Sequence, residues 1–189
     1  MEERTMVRTL DFDGIDKLNK HTLSDVFGTT YTTVEPFIGW LNEYCQKYEI
    51  NTPLRLSAFL AQIGHESGRF RYTEEIAKGD AYEGRKDLGN VCKGDGEKFK
   101  GRGLIQVTGR YNYEAISKDL GIDFVGSPTL LSSPEYAVWS ACWYWDKRNL
   151  NTLADEGRFR DITKAINGGY NGLEDREKLY ARCKQMLNV

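Results

Sequence analysis

The feature that most constrains this chain is an apolar helix that ends in an inward-facing carboxylate. Residues 52–66 begin with Thr-Pro, a cap followed by proline at the first helical position. The apolar side chains then recur at helical spacing: Leu56, Phe59, Leu60 and Ile63. Glu66 lies three residues after Ile63, so the spacing places its carboxylate on the buried side of this helix. Because an isolated buried carboxylate is costly, we expect Glu66 to have a partner or to face a cleft.

A polar segment rich in glycine, residues 68–103, follows this helix. Its spacing supports no long periodic element, and long structured loops in compact domains are usually functional. The segment contains Glu74, Glu75, Asp80 and Glu83. We predict a loop region with at most a small β-hairpin, followed by a short extended run over residues 103–108.

The remaining segments predict further helices. Thr22-Leu23-Ser24-Asp25 suggests a helix start, and Thr33 reads as an N-cap with Pro36 in the first turn of a helix that ends near Glu49. Thr108 is a candidate cap for a helix that ends at Gly121. Later helices are expected in residues 133–148, 150–156, 161–166 and 173–187. The predicted class is mainly α, in a single catalytic domain over residues 1–189 with room for a small sub-lobe in residues 68–103.

Charge and composition exclude several classes of function. The 26 Lys and Arg residues are balanced by 28 Asp and Glu residues, so no basic excess indicates nucleic-acid binding. The charged N-terminal stretch is unlike a signal peptide, and no apolar run is long enough to span a membrane. The four cysteines lack metal-ligand spacing, and residue 69 is Arg, so HExxH is absent. We therefore expect a cytoplasmic protein without a metal site, and we expect it to be a monomer.

Two carboxyl groups in contrasting surroundings suit the hydrolysis of a glycosidic bond. The reaction needs a proton donor in an apolar place and a carboxylate that can activate water. Glu66 meets the first requirement by position, and Glu75, in the polar segment, meets the second. Glu74 is the near rival of Glu75, since adjacent residues cannot be separated from sequence alone, and Glu83 and Asp80 are weaker candidates. The alternative without catalysis is that these residues are helix caps or solvated side chains.

Four segments in order resemble successive signatures of the family 19 glycoside hydrolases, which include chitinases and bacteriophage endolysins. They are AQIGHESGRF, GRGLIQVTGRYNY, AVWSACWYW and ITKAINGGYNG, and the resemblance covers roughly residues 54–187. The short segment between the glutamates looks like the endolysin branch. The resemblance implies an inverting mechanism, a lysozyme-like helical fold with a cleft, and no cofactor.

The resemblance also implies roles for individual residues. Glu66 matches the general acid, Glu75 the general base, and Thr108 a hydroxyl residue that helps to hold the attacking water. Further positions match residues that bind substrate or pair with a catalytic-site carboxylate: Gln106, Asn112, Asn167 and Arg176. We also expect Tyr111 to line the substrate cleft. Without the resemblance, these polar residues could equally satisfy backbone groups or end helices.

We therefore expect an endolysin that cleaves the β-1,4 bond of bacterial peptidoglycan, held in the host cytoplasm until it is released to the cell wall. Three alternatives remain open at this point. The first is a chitinase, and the second is a lytic transglycosylase that uses Glu66 alone, echoed in Glu66-Ser67 and in Gly-Leu-Ile-Gln at residues 103–106. The third is a wall-binding module without activity.

Overall fold

The computed structural model describes residues 18–189, and this part of the chain is mainly helical, as predicted. Nine α-helices lie within these residues: α1 Lys20–Phe27, α2 Tyr31–Lys47, α3 Pro53–Glu66, α4 Asp95–Lys98, α5 Arg110–Leu120, α6 Pro134–Lys147, α7 Leu150–Asp155, α8 Phe159–Asn167 and α9 Leu173–Leu187. Three short 3₁₀ turns complete the elements of this range: Asp80–Tyr82, Lys86–Leu88 and Pro128–Ser132.

Helix α3 is the centre of the molecule. Every residue from Leu56 to Gly64 is buried, and the helix packs along α9, while α2 packs against α6. Thr52 caps α3 as predicted, because its side chain accepts a hydrogen bond from the Arg55 N–H at 3.3 Å. The functional end of α3 is thus held by a surrounding shell of helices.

The buried apolar residues between 18 and 189 form two clusters. The larger one surrounds α3 and includes Phe59 and Trp145. The smaller one lies beside the loop region and contains Phe99, Val107, Tyr113, Ile116, Phe124, Leu131 and Trp143. Tyr48 and Tyr144 are partly buried and contact both clusters, and α6 supplies residues to both.

Two of the predicted helix starts are wrong. Helix α1 begins before Thr22, because the Asn19 side chain accepts hydrogen bonds from the His21 and Thr22 amides. Helix α2 begins at Tyr31 after Thr30, so Pro36 lies inside it rather than in its first turn. The longer helix buries Val34 in the core, and the proline sits on its exposed face.

The prediction that Thr108 caps α5 is also wrong. The N-cap is Gly109, which has a φ of 89°, and the Thr108 hydroxyl instead donates to the Gln106 carbonyl oxygen at 3.1 Å. Gly109 approaches Leu88 so closely that an added Cβ would lie 2.7 Å from its Cβ atom. The close approach selects glycine at the start of α5.

Residues 103–108 form a tight turn rather than the predicted extended run. Arg102 and Val107 pair through two backbone hydrogen bonds of 3.1 and 2.8 Å, which closes the turn. Arg102 also forms a backbone β-bridge with Glu74. These two isolated bridges are the β-type backbone pairs within residues 18–189. The turn brings the loop that bears Glu75 against the segment that leads into α5.

None of the helices in the described range combines the length and the apolar character needed to cross a bilayer.

Candidate active site

Glu66 is the last residue of α3, and its carboxylate is bound by Arg176 of α9. The Arg176 Nη2 donates to Glu66 Oε1 at 2.5 Å, and its Nη1 donates to Gln62 Oε1 at 2.6 Å. Gln62 and Glu66 are one helical turn apart, so one guanidinium contacts both. The Glu66 side chain is 20% exposed and Arg176 only 1%, so the carboxylate lies at the surface end of a buried polar contact. Glu66 therefore has the partner that its inward position required.

Arg176 is held in turn by the loop between α8 and α9. Its Nε donates to the Asn171 carbonyl oxygen at 3.2 Å, and the Asn171 amide donates to Asn167 Oδ1 at 3.2 Å. Asn167, a predicted substrate-binding residue, thus connects through Asn171 to the arginine that binds Glu66. The Asn167 amide nitrogen Nδ2 donates no hydrogen bond within residues 18–189.

The residues next to Glu66 and Arg176 also contact each other. The His65 Nδ1 lies 2.6 Å from Asp175 Oδ2, and the Arg69 Nη2 donates to Asp175 Oδ1. Burial raises the pKa of the Asp175 carboxyl, but the hydrogen bonds and charges of Arg69 and His65 outweigh it and lower that pKa. Asp175 is therefore a carboxylate at neutral pH.

Glu75 lies in the loop region, and both of its carboxylate oxygens are held by neutral donors. The Tyr82 hydroxyl donates to Oε1 at 3.1 Å, and the Gly101 amide donates to Oε2 at 3.2 Å. The Glu75 backbone is fixed as well. Its N–H donates to the Gly101 carbonyl oxygen, and the Glu75 carbonyl oxygen accepts a hydrogen bond from Lys100 Nζ. Burial and the Glu75 charge raise the pKa of Tyr82, so this hydroxyl remains a donor.

Glu74, the near rival of Glu75, is held by cations. Lys100 Nζ lies 2.8 Å and Arg102 Nη2 lies 3.4 Å from its Oε1, and the Ser132 hydroxyl donates to Oε2 at 3.2 Å. The Lys100 hydrogen bond and the Arg102 charge lower the pKa of Glu74 against the opposing effect of burial. A carboxylate stabilised in this way is a weak base, and its contacts are those of a loop anchor.

Glu83 has a similar structural position. Its two carboxylate oxygens accept hydrogen bonds from the Gly94 and Gly96 amides, each at 2.8 Å. Asp80 opens the 3₁₀ turn Asp80–Tyr82, which carries the tyrosine that contacts Glu75. The hydrogen bonds from Gly94 and Gly96 lower the pKa of Glu83, as the Lys100 and Arg102 contacts lower the pKa of Glu74. These contacts therefore disfavour both residues as the base and leave Glu75 and Asp80 as candidates.

Three predicted residues lie in or beside the tight turn, near Gly101, whose amide contacts Glu75. The Gln106 side chain lies against Gly101, where an added Cβ would be 2.4 Å from Gln106 Oε1. The Thr108 hydroxyl donates to the Gln106 carbonyl oxygen, and the Asn112 Nδ2 donates to the Thr108 carbonyl oxygen at 2.7 Å. The Gln106 side-chain amide is partly exposed and makes no hydrogen bond within the described residues, so it can bind a ligand.

Tyr111 presents an exposed ring near the start of α5. It is 58% exposed, and an added Cβ at Gly89 would lie 2.4, 2.6 and 2.7 Å from three of its ring atoms. Three nearly equal distances place the glycine over the face of the ring. Gly89 therefore supports one face and leaves the other side available for a flat apolar partner.

Seven of the eight predicted site residues thus fall into two groups, and Tyr111 lies against Gly89 instead. An acid group contains Glu66, Arg176 and Asn167, and a base group contains Glu75, Gln106, Thr108 and Asn112. Residues 67–74 connect the two groups, and this connection is fixed by hydrogen bonds from the Tyr72 amide to the Ser67 carbonyl oxygen and from the Gly103 amide to the Thr73 carbonyl oxygen. The arrangement can supply one proton donor and one carboxylate base, together with amide groups for a polar ligand.

Sequence reasoning did not identify several residues of these groups. Gln62, Asn171 and Tyr82 each contact a predicted site residue, and Asp175 contacts His65, the residue before Glu66. A signal existed for Gln62, because it is a polar residue on the apolar side of α3, four positions before Glu66. The others are brought in by tertiary contacts that no local pattern encodes.

Comparison with known proteins identifies relatives of the chain. The family described as chitinase class I, glycosyl hydrolase family 19, matches residues 54–154. A glycosyl hydrolase family 19 domain-containing protein of Haemophilus influenzae is 34% identical over 158 residues, which are 67% of this chain and 77% of that protein. An endochitinase of Arabidopsis thaliana is 40% identical over 115 residues, which are 60% of this chain but only 39% of that protein.

Solved structures share the fold. Chitinase C from Streptomyces griseus superposes with a TM-score of 0.72 at 22% identity, over 92% of this chain and 93% of that one. A class IV chitinase from Zea mays gives a TM-score of 0.69 at 24% identity, over 92% of this chain and 94% of that one. The lysozyme-like helical fold is therefore shared along most of the chain.

Proposed function

The chain belongs to glycosyl hydrolase family 19 and is a glycoside hydrolase, and on this premise we propose that it cleaves the β-1,4 bonds of bacterial peptidoglycan by an inverting mechanism. The observation that carries this proposal is the contrast between two carboxylates. Glu66 is held from one side by a buried arginine, and Glu75 is held by neutral donors at the base group.

Glu66 acts as the general acid. Only its Oε1 accepts hydrogen bonds within residues 18–189, so Oε2 is left to carry a proton toward the leaving oxygen. The carboxylate formed after proton transfer is stabilised by the Arg176 guanidinium, which is itself fixed by Gln62 and Asn171. The acid is thus already oriented before substrate binds.

Glu75 acts as the general base. It takes a proton from a water molecule that attacks the anomeric carbon from the face opposite the leaving group. Neutral donors orient the Glu75 carboxylate, and the Lys100 and Arg102 cations that bind the Glu74 carboxylate make no ion pair with Glu75 within residues 18–189. The Thr108 hydroxyl donates its own proton to Gln106, which leaves its oxygen free to accept one from that water.

The polar groups around the carboxylates bind the sugar chain. The side chains of Gln106, Asn112 and Asn167 supply amide donors and acceptors for N-acetyl and hydroxyl groups. Tyr111 offers a supported, exposed ring for the apolar face of a sugar. Amide and aromatic groups together suit an amino-sugar polymer.

The choice of peptidoglycan rests on the short spacing of the two carboxylates. Glu66 and Glu75 are nine residues apart in the sequence, and this spacing resembles the endolysin branch of the family. We infer that the protein acts in bacteriophage-mediated lysis and reaches the wall from the host cytoplasm.

Chitin is the second candidate substrate, and the comparisons favour it. The relatives include plant endochitinases, and the structures with the shared fold are chitinases. Both polymers contain N-acetylglucosamine, so the same amide and aromatic groups would serve either one.

A parallel assay decides between the substrates. Purified protein is mixed with cell walls, followed by turbidity and released reducing ends, and with chitin oligosaccharides, followed by chromatography. We expect rapid solubilisation of walls and slow or no cleavage of chitin oligosaccharides. The Glu66→Gln variant should lose activity by about 10²–10⁴-fold while its circular dichroism is unchanged.

Each contrary result identifies a different function. Faster cleavage of chitin oligosaccharides than of walls would make the enzyme a chitinase. Wall products with an anhydro sugar in the mass spectrum, together with an active Glu75→Gln variant, would make it a lytic transglycosylase. Near-wild-type activity of Glu66→Gln on both substrates would remove Glu66 from the mechanism.

A further inference from the structure

We propose that Asp175 is a positioning residue for the general acid, an inference that rests on the proposed role of Glu66. Asp175 does this together with His65 and Arg69, and none of the three is among the predicted site residues. Its function is to fix the end of α3 against the first turn of α9, so that Arg176 and Glu66 meet in one orientation.

The geometry is a contact between two pairs of adjacent residues, which we call the α3–α9 clamp. At the end of α3, His65 contacts Asp175 at 2.6 Å and Glu66 contacts Arg176 at 2.5 Å. Asp175 is negative and Arg176 is positive, so each of the two adjacent α3 side chains faces a charged residue of α9. Two contacts at adjacent positions restrain the rotation of one helix end against the other, which a single ion pair cannot do.

The backbone after Glu66 is shaped to add a third contact. Gly68, Arg69 and Phe70 all have left-handed conformations, with φ of 57°, 62° and 63°. Two consecutive non-glycine residues in this region cost about 1–2 kcal/mol each. The turn reverses the chain and lets Arg69 reach the same Asp175 carboxylate that His65 contacts.

Neighbouring contacts offset this backbone strain. The Ser67 hydroxyl donates to the Ile63 carbonyl oxygen at 2.6 Å and accepts from the Phe70 amide at 2.8 Å. Phe70 is buried against Phe27 and Phe37, with ring centroids 5.1 and 5.3 Å apart. A strained turn retained next to a reacting group is the pattern expected of a positioning device.

Because the clamp residues are partly exposed, an effect on the position of the general acid can be distinguished from an effect on protein stability. The side chains of His65, Arg69 and Asp175 are 25%, 31% and 34% exposed, so their ion pairs contribute little to the free energy of unfolding. A small displacement of a catalytic group, by contrast, can reduce the rate by about 100-fold. Loss of Asp175 should therefore lower kcat much more than it lowers thermal stability.

The test compares Asp175→Asn with Glu174→Gln. Glu174 is the adjacent acidic residue in the first turn of α9, and it pairs only with the exposed Lys178, so this variant controls for the charge at the helix N-terminus. We expect Asp175→Asn to reduce kcat about 10–100-fold with KM within about twofold of wild type, and with little change in Tm. Glu174→Gln should match the wild type in all three quantities.

A second measurement does not depend on the substrate. In the wild type, the Arg176 guanidinium should give slowly exchanging N–H signals in NMR spectra, because it is buried and bound to three acceptors. Asp175→Asn should speed this exchange at least tenfold, while Glu174→Gln leaves it unchanged.

The outcomes separate this inference from the proposed function. If the wild-type protein were inactive on both polysaccharides, the proposed function would be rejected. The exchange of the Arg176 N–H groups would still show whether Asp175 fixes Arg176. Wild-type kcat and unchanged Arg176 exchange in Asp175→Asn would overturn the positioning role. A fall in kcat matched by a large fall in Tm would mean that Asp175 acts only on stability.

Discussion

At the scale of single residues, the assignment of the base depends on what holds two adjacent glutamates. Glu74 is bound by Lys100 and Arg102, whereas Glu75 is bound by a tyrosine hydroxyl and a backbone amide. Adjacent residues in an extended segment point in opposite directions, so their surroundings differ completely. No sequence pattern distinguishes them, because the cations come from residues about 26 positions later in the chain.

We therefore predict opposite effects for Glu75→Gln and Glu74→Gln. Glu75→Gln should reduce kcat by about 10²–10⁴-fold and leave Tm nearly unchanged, since the Gln amide oxygen can accept from the Gly101 amide while its NH2 group donates to the Tyr82 hydroxyl oxygen. Glu74→Gln should leave a substantial kcat but lower Tm, because it removes the charge that Lys100 and Arg102 face. Steady-state kinetics and thermal unfolding of the two variants decide the assignment, and the reverse pattern would make Glu74 the base.

The sequence predicted the acid side of the site better than its surroundings. Local periodicity was enough to place Glu66 on the inward face of α3, since a helix fixes the direction of each side chain. The partner that an inward carboxylate requires, Arg176, lies 110 residues away and was suggested only by the family resemblance. Thr108 could not be placed correctly, because the close approach of Gly109 to Leu88 decides where α5 begins.

At the scale of elements, the contact between α3 and α9 depends on a glycine. Gly172, the N-cap of α9, has a φ of 69°, and an added Cβ would lie 2.3 Å from the His65 ring. Gly157 has the same φ of 69°, but no atom lies within 4 Å of its added Cβ. The two positions share a backbone conformation and differ in their neighbours.

This pair predicts the cost of disturbing the clamp. Gly157→Ala should lower stability by about 1–2 kcal/mol, the cost of a left-handed conformation for alanine. Gly172→Ala should lower stability further and reduce kcat, because the new methyl group displaces His65 from Asp175. Chemical denaturation and kinetics of both variants test this, and equal effects of the two substitutions would show that α9 tolerates a shift of His65.

The loop region is held to α5 by the buried carboxylate of Asp95. Asp95 is 2% exposed and accepts two hydrogen bonds from Arg110, at 2.6 and 3.0 Å, and one from the Cys92 amide. The Arg110 hydrogen bonds lower the pKa of Asp95 more than burial raises it. A pKa that is lower in the folded state adds stability above the ordinary Asp value of about 3.9, and this stability is lost as the pH falls through the folded value.

Asp95→Asn should accordingly destabilise the protein by about 3 kcal/mol at pH 7, the typical cost of breaking a buried pair. The difference in Tm from wild type should shrink as the pH is lowered below about 4. Asp87→Asn is the control, because Asp87 pairs with Arg85 at the surface and should have no measurable effect at either pH. If the difference in Tm between Asp95→Asn and the wild type stayed the same at low pH, the Asp95 charge would not be the source of the stabilisation.

At the scale of the whole molecule, the mainly α class and most helices were predictable, because amphipathic periodicity and caps are local signals. The loop region was predictable only as a region without regular structure. Its conformation depends on tertiary contacts such as Glu83 with the Gly94 and Gly96 amides, and Asp95 with Arg110. The structure also divides the buried residues of the described range into two clusters, which hydrophobic spacing alone does not reveal.

The helix that carries Glu66 packs in the larger cluster, whereas the tight turn beside Glu75 packs in both, through Leu104 and Ile105 in the larger cluster and Val107 in the smaller one. Two tryptophans of α6 test how far the two clusters are coupled. Trp145 is fully buried in the larger cluster against Phe59, whereas Trp143 lies in the smaller cluster with Phe99 and Val107, which flank the tight turn. Trp145→Phe should lower the free energy of unfolding of the whole molecule and should therefore speed hydrogen exchange at the α3 amides. Trp143→Phe should speed hydrogen exchange at the Arg102 and Val107 amides, whose mutual hydrogen bonds close the turn beside Glu75, while the α3 amides exchange as in the wild type. The reason is that Val107 of the tight turn packs in the smaller cluster while the α3 residues pack in the larger one, so loosening the smaller cluster opens that part of the turn without unfolding the helix that carries Glu66. Equal acceleration of both sets of amides by Trp143→Phe would mean instead that acid and base are held by one cooperative core.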